Sequence, residues 1–333
     1  MPEKIFVTGA TGFLGSSLVK KLCKSKRDVT ILIHKNPNHS YLRGLKVKRK
    51  KGDIRDYHTL LKAMNGCSHV YHLAPIISED PKLKKEIFSV NVAGTENVMK
   101  ACLKLNVKKV VHVSSTSVFG FSRDERTKLN ENSTFDFEND SYLYGQSKKS
   151  AEDAVQHYVS EGLNATIVNP CSIVGVGDSK RSVYNLIKNI ANGRIKFAFP
   201  GGACSVGVED VIEGIILAMN KGKSGERYIL AGEYMKLIDR YNLIANLLKK
   251  PKIRFEFPRI FYYPVYLLAA IMQSLFKKSP ITTEMIRFAY GFRNFDTAKA
   301  QRELGWKPKV TFEESMKHDI VYYNKYLRGL RWN

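Results

Sequence analysis

The chain has 333 residues, and 54 Lys and Arg against 31 Asp and Glu give it a formal charge of +23. Hydrophobic residues make up 44% and charged residues 26%, ordinary globular usage that excludes a mostly disordered, collagen-like or coiled-coil chain and suits one large or two modest domains. Five widely spaced cysteines, Cys23, Cys67, Cys102, Cys171 and Cys204, contain no C-x-x-C pair, so neither a disulfide framework nor a metal site is expected and a reducing, cytoplasmic setting fits.

The chain opens with Met1-Pro2-Glu3-Lys4 running straight into Ile5-Phe6-Val7, without the features of a signal peptide. Short β-branched runs then alternate with longer helical ones. Strands are expected at Ile5–Thr8, Val29–Ile33, Ser68–His72, Val110–Ser114 and Thr166–Asn169, and helices at Leu14–Cys23, Thr59–Met64, Ile87–Asn106 and Tyr144–Glu161. That alternation predicts an α/β core built from βαβ units, with the strands forming a parallel sheet. The basic run Lys46 to Lys51 reads as a lysine-guarded edge strand. Basic residues elsewhere are spread along the chain and interleaved with acids, so nucleic acid is not an expected partner. Past Pro170 the alternation loosens, with a helix over Val208–Asn220 and a strand over Tyr228–Leu230, and the Tyr-, Phe- and Lys-rich remainder reads as a second lobe.

Thr8-Gly9-Ala10-Thr11-Gly12-Phe13-Leu14-Gly15 lies between an apolar strand and a helix. A turn there without Cβ atoms lets the backbone approach a pyrophosphate, whose charge the helix N-terminus then holds. Gly9, Thr11, Gly12, Phe13, Leu14 and Gly15 are therefore candidate dinucleotide contacts. About 20 residues beyond such glycines an acid selects NAD and a base accommodates the 2′-phosphate of NADP. This chain has His34-Lys35 there, while Asp28 sits at the wrong end of its strand, so NADP(H) is preferred and NAD(H) is the alternative.

A serine-rich strand end, Ser114-Ser115-Thr116-Ser117, and Tyr144-Gly145-Gln146-Ser147-Lys148 at a helix start make a third signal. Tyr and Lys four apart share one helical face. A neighbouring ammonium favours the tyrosinate, so Tyr144 can move a proton while Ser115 hydrogen-bonds the substrate oxygen. Ser114 and Ser117 are the rivals of Ser115.

In this order, TGATGFLG, GDIRD, YHLAP, NVAGTENV, VSSTSVFG, YGQSK, NPCSIVGVGD and GWKPKVTFEES resemble the extended short-chain dehydrogenase/reductase family over nearly the whole chain. The resemblance implies a Rossmann-type doubly wound parallel sheet with a smaller C-terminal substrate lobe. The NADP(H)-binding domain would be 1–172 plus about 203–232, and the lobe about 173–202 plus 233–333. It further implies that Gly9, Gly12 and Gly15 cradle the pyrophosphate, Asp53 and Ile54 hold the adenine, and Leu73 and Ala74 follow the cofactor. Ser115 and Tyr144 would be the catalytic hydroxyls, Lys148 would bind the nicotinamide ribose and tune Tyr144, and Pro170, Ser172 and Ile173 would line the carboxamide side. Asn91 would hold a structural water. A homodimer through the helices at 87–106 and 144–161 is also implied.

Two departures bear on substrate. Where nucleotide-sugar relatives carry an arginine for the nucleotide phosphate, the matching run is Ala203 to Val211 and has none. Pro200-Gly201-Gly202 before it resembles the dihydroflavonol reductase and 3β-hydroxysteroid dehydrogenase-like branch. Pro75 replaces the second alanine of the usual H-L-A-A, a change in the cofactor groove. Ile260 to Phe276 is a run of 17 residues without charge, about 25 Å as a helix and short of the roughly 30 Å membrane core. Its expected role is a buried or substrate-covering helix, with a membrane-surface helix, basic on both flanks over 255–278, as the other reading.

The function expected is an NADP(H)-dependent oxidoreductase that interconverts a carbonyl and a secondary alcohol on a small, lipophilic substrate. A nucleotide-sugar epimerase or dehydratase is the second reading, and a non-catalytic NADP(H)-binding protein the third.

Overall fold

β1 (Lys4–Thr8) is followed by α1 (Phe13–Lys24), β2 (Asp28–Ile33), β3 (Lys48–Lys51), α2 (Tyr57–Met64) and β4 (His69–His72). α3 (Lys84–Phe88) continues through a π turn, Ser89–Ala93, into α4 (Gly94–Lys104), and β5 (Lys109–Val113), α5 (Leu143–Ser160) and β6 (Ala165–Pro170) complete this half. These elements come from a computed structural model that describes residues 3–34, 42–78, 80–135, 142–177, 182–276, 279 and 281–327. Beyond β6 the order is β7 (Ser172–Val174), α6 (Ser182–Ala191), β8 (Phe197–Ala198), β9 (Gly202–Gly207), α7 (Val208–Lys221), β10 (Arg227–Leu230), β11 (Glu233–Lys236) and α8 (Leu237–Leu247). β12 (Phe255–Glu256), α9 (Tyr262–Leu275), α10 (Thr283–Tyr290), β13 (Phe292–Arg293) and α11 (Phe312–Tyr322) follow.

Seven strands form one sheet in the order β10-β6-β5-β4-β1-β2-β3, and every pairing in it is parallel. Parallel strands need crossover helices, and helices on both faces turn the central strands into nearly continuous apolar runs. Alternate side chains separate accordingly. Val7, Tyr71, Val111 and Val168 pack with Leu18 and Leu22 of α1 and Ile215 of α7, while Phe6, Val70, Val110 and Ile167 pack with Leu60 of α2, Met99 of α4 and Val155 of α5. The order in which strands are added across the sheet reverses between β1 and β4, and in open α/β sheets the crevice beyond the strand ends at such a point receives the ligand.

β3 is the edge strand expected from its lysines. All four of its residues are exposed, and Lys48 pairs with Asp28 across to β2 at 2.9 Å. A second sheet, β11-β9-β13 with β7 also on β9, carries the lobe beyond β6, and β12 pairs with β8. Trp306 donates to the Asp210 carbonyl at 2.8 Å, and the Asp210 carboxylate accepts from the Lys309 and Val310 amides, so the Gly305-Trp306-Lys307-Pro308 run is clamped to the start of α7.

Two sequence expectations need correction. The single helix at Ile87–Asn106 is two helices joined by the π turn, and it starts earlier, at Lys84. The uncharged run Ile260 to Phe276 is not a buried helix: within α9 only Ala269 is buried, while Ile260 is 80% exposed and Leu275 72%. Hydrophobicity alone could not separate these cases, because an apolar helix sits equally well against protein or against another apolar medium.

Candidate active site

The glycine turn meets the end of β4. Gly9 has a φ of 70°, and a Cβ on it would lie 2.0 Å from the Leu73 carbonyl oxygen; one on Gly15 would lie 2.1 Å from the Gly9 oxygen. Packing within the protein therefore explains these two glycines. It does not explain Gly12, which is exposed, has a φ of −76° and would bring its Cβ no nearer than 3.4 Å to any neighbour. Gly12 caps α1, whose first turn carries no acid and no side-chain cap. The open side of Gly12 and the uncapped helix start fit a dinucleotide pyrophosphate, which needs close backbone approach and free amides.

On the far side of β1, His34 ends β2 and its Nε2 lies 3.0 Å from Asp53. Arg55 also binds Asp53 through Nε, and this guanidinium beside it holds the Asp53 carboxyl down at about 2. Ile54 is buried against Gly94, where a Cβ would come within 2.6 Å of it. The expected adenine residues Asp53 and Ile54 thus stand next to His34, while Lys35 lies outside the described residues. Thr11, Phe13 and Leu14 flank the turn half-buried, and Leu73 and Ala74 follow β4, with the Leu73 amide bonded to the Thr8 oxygen at 3.3 Å.

At the end of β5, the Lys148 ammonium donates to the Val113 carbonyl at 3.0 Å. Lys148 is completely enclosed, and burial pulls its pKa down to about 8, opposed by the nearby Glu152. Tyr144 is buried one turn earlier on α5. Ser115 follows Ser114 out of the strand, donating to Ser117 Oγ at 2.9 Å and accepting from the Ser117 amide at 3.1 Å. Of its rivals, Ser114 is buried, whereas Ser115 and Ser117 are both half-buried and hydrogen-bonded to each other. Pro170 closes β6, and Ser172, exposed, and Ile173 begin β7 beside it.

The support beneath these groups was not read from the sequence. Asn169 donates to the Ser115 carbonyl at 3.1 Å and to Glu152 at 2.5 Å, which joins the serine segment to α5. Burial raises the Glu152 carboxyl. Glu152 lies four residues past Lys148, so the helical repeat that pairs Tyr144 with Lys148 was the signal available. His72 bridges Thr8 and Thr95 at 2.7 and 2.9 Å, and burial pushes it down to about 3. Asn91, expected to hold a water, accepts from the Ile76 amide and donates to the Ile76 carbonyl and Ser147 Oγ.

The part of the chain beyond β6 adds two arginines from separate elements. Arg240 of α8 is buried and stacks over Phe312 at 4.6 Å; Arg293 of β13 stacks over Phe288 at 4.8 Å, and Phe288 meets Tyr142, the residue that caps α5, at 4.6 Å. The Nε of each guanidinium is shut off from solvent without a hydrogen-bond partner among the described residues. Burial and the like charge of Arg293 push Arg240 down to about 10. No sequence signal joins positions 240 and 293; the sheet around β9 brings their elements together.

The model of the NAD dependent epimerase/dehydratase family matches residues 5–231. Sterol demethylase protein B of Methylococcus capsulatus is 32% identical over 92% of this chain and 94% of that protein. The 3beta-hydroxysteroid-dehydrogenase/decarboxylase isoform 1 of Arabidopsis thaliana is 27% identical over 94% of this chain and 78% of its own length. The crystal structure of gox2253 superimposes with a TM-score of 0.86 at 28% identity, covering 98% of this chain and 99% of that one. With its seven-stranded Rossmann-like sheet, glycine turn and Tyr144-Lys148 helix, the chain belongs to the NAD dependent epimerase/dehydratase family and is an NAD(P)-dependent enzyme of the extended short-chain dehydrogenase/reductase type.

Proposed function

We propose that the enzyme interconverts a carbonyl and a secondary alcohol on a small lipophilic molecule, using NADP(H). The observation that carries this reading is the enclosed Lys148 ammonium, bonded at the end of β5 one helical turn from Tyr144. A nicotinamide dinucleotide, when bound, supplies hydride transfer. In the reduction direction Tyr144 gives its phenolic proton to the substrate oxygen, and Ser115 donates a hydrogen bond to the same oxygen as negative charge builds there. Lys148 stays mostly charged at neutral pH and stabilises the phenolate left behind. In the oxidation direction the same phenolate takes the alcohol proton.

The preference for NADP(H) is supported by His34 at the end of β2, with Lys35 next in sequence, and by an Asp53 already engaged by Arg55 and His34. The names of the sterol- and hydroxysteroid-related relatives support a lipophilic substrate. A homodimer through α4 and α5 belongs to the same proposal, and sedimentation at several concentrations tests it.

Arg240 and Arg293 favour a second reading. Two enclosed guanidiniums without carboxylate partners among the described residues could hold the diphosphate of a nucleotide sugar in place of the arginine absent from Ala203 to Val211. Thermal melts of the NADP⁺-saturated protein separate the two, since binding to the folded state raises the melting temperature. A shift with a pool of lipophilic alcohols and ketones alone supports the reductase. A shift with nucleotide sugars alone, lost in Arg293→Met, overturns it.

A further inference from the structure

The outward face of α9 and the turn before it hold Ile260, Tyr263, Leu267, Leu268, Ile271 and Leu275 in solvent. Ile260, Tyr263, Leu267, Ile271 and Leu275 recur at intervals of three and four residues, with Leu268 beside Leu267, so they form one stripe along the helix. The opposite face is anchored: Ala269 packs with Ile286 and Tyr290 of α10, joined by Val265 and Tyr266. α9 is thus packed through one face with a stripe of hydrocarbon facing away from the protein, an exposed patch of the kind that marks an interaction surface.

Charge identifies the partner. Between Lys249 and Ile281 the chain carries Lys249, Lys250, Lys252, Arg254, Arg259, Lys277 and Lys278 against a single acid, Glu256. At the foot of α9, a pocket of about 170 Å³ is lined by Arg123, Arg259 and Arg287 together with Phe121, Tyr262, Tyr263, Tyr290 and Gly291, without a carboxylate. Its arginines are placed by the fold: Arg259 donates to the Arg123 and Tyr290 carbonyls at 2.9 and 3.4 Å and stacks over Phe292, and Arg287 donates to the Tyr266 hydroxyl at 2.7 Å. A cavity of about 170 Å³ has room for a phosphate group. Guanidiniums suit phosphate, and tyrosines suit the boundary between headgroups and hydrocarbon.

We infer that α9 lies in the surface of an anionic phospholipid membrane, its apolar stripe in the acyl boundary and a lipid phosphate seated in the Arg123-Arg259-Arg287 pocket. Spanning is excluded by length: 14 residues rise about 21 Å against a core of roughly 30 Å, and none of the described helices is long and apolar enough to cross. An apolar helix with basic residues flanking it in sequence and arginines at its foot is suited to binding in the plane of an anionic interface.

Flotation of the full-length protein with vesicles tests this, one set of phosphatidylcholine alone and one mixed with phosphatidylglycerol. The protein is expected to float with the mixed vesicles and much less with the neutral ones. Replacing Leu267→Ser together with Leu275→Ser should lower the vesicle-bound fraction on the order of tenfold, since each leucine loses its apolar transfer, while the far-ultraviolet spectrum and melting temperature stay unchanged. Arg123→Glu, on an exposed side chain, should remove the preference for phosphatidylglycerol and leave the residual neutral binding intact. Inorganic phosphate that protects the pocket but leaves flotation unaltered would overturn the headgroup assignment. Failure of the wild type to float, or a dimer that the two serine substitutions convert to monomer, would overturn the membrane proposal and make a second copy of the chain the cover of α9.

Discussion

α5 carries Lys148 and Glu152 into the interior, each only 2% exposed, whereas α9 holds leucines out in water, Leu267 at 61%. Each departs from ordinary burial, and at a cost. Enclosing an ion costs on the order of several kcal/mol, and leaving a leucine exposed forgoes roughly 2 kcal/mol of burial. On α5 the cost is offset by bonds to fixed partners, Val113 for Lys148 and Asn169 for Glu152. On α9 no partner within the described protein offsets it. In the function proposed above, the enclosed charge serves chemistry on a substrate oxygen and the exposed hydrocarbon serves a membrane surface.

The comparison is sharpened most by removing the buried charge. Lys148→Met should lower turnover by about 10²- to 10⁴-fold, the range typical of proton-transfer catalysis. It should also move the acidic limb of the alcohol-oxidation pH profile upward by roughly 1–3 units, because Tyr144 loses the charge that favours its phenolate. A fall in turnover with no movement of that limb would assign Lys148 to ribose binding alone.

The glycine turn offers a second contrast. Gly15→Ala forces a Cβ to 2.1 Å from the Gly9 oxygen and should destabilise the fold by about 1–3 kcal/mol in denaturant titration. Gly12→Ala meets nothing closer than 3.4 Å at a φ of −76°, so its stability should stay within about 0.5 kcal/mol of wild type while NADPH affinity falls. Equal loss of stability in both variants would mean that Gly12 serves packing and not the cofactor.

A smaller effect concerns acid. His72 and His112 pack ring against ring at 5.1 Å and are both wholly buried; burial drives His72 to about 3 and His112 well below its ordinary value. Below the ordinary histidine value of about 6.5, the unfolded chain binds protons that the folded chain refuses, so stability present above that pH is lost as pH falls. The melting temperature should drop between pH 7 and 5. His112→Phe, which removes two ring nitrogens without a partner among the described residues, should reduce that drop; an unchanged drop would place the acid sensitivity elsewhere.

Much of the sheet was legible because helices on both faces leave the parallel strands as short β-branched runs, and the lysines of β3 announced an edge. The glycine turn between a strand and a helix, and Tyr144 and Lys148 one turn apart on α5, were legible as placements because each depends on local spacing. Glu152 and Asn169 were hidden because a buried acid and its amide are defined by a contact between a helix and a strand, and Arg240 and Arg293 because their neighbourhood is made by β9 pairing with distant segments. The exposure of α9 was unreadable for a physical reason: its composition is that of a core helix, and only the position of α10 decides which face turns inward.

The central claim is that Tyr144 moves the proton to and from the substrate oxygen. The direct test is Tyr144→Phe, followed by NADPH absorbance with whichever ketone of the lipophilic pool stabilises the wild type, alongside a titration of NADPH binding. The account predicts turnover lost by at least about 10²-fold with NADPH binding retained. Turnover close to wild type in a variant that still binds NADPH would contradict it.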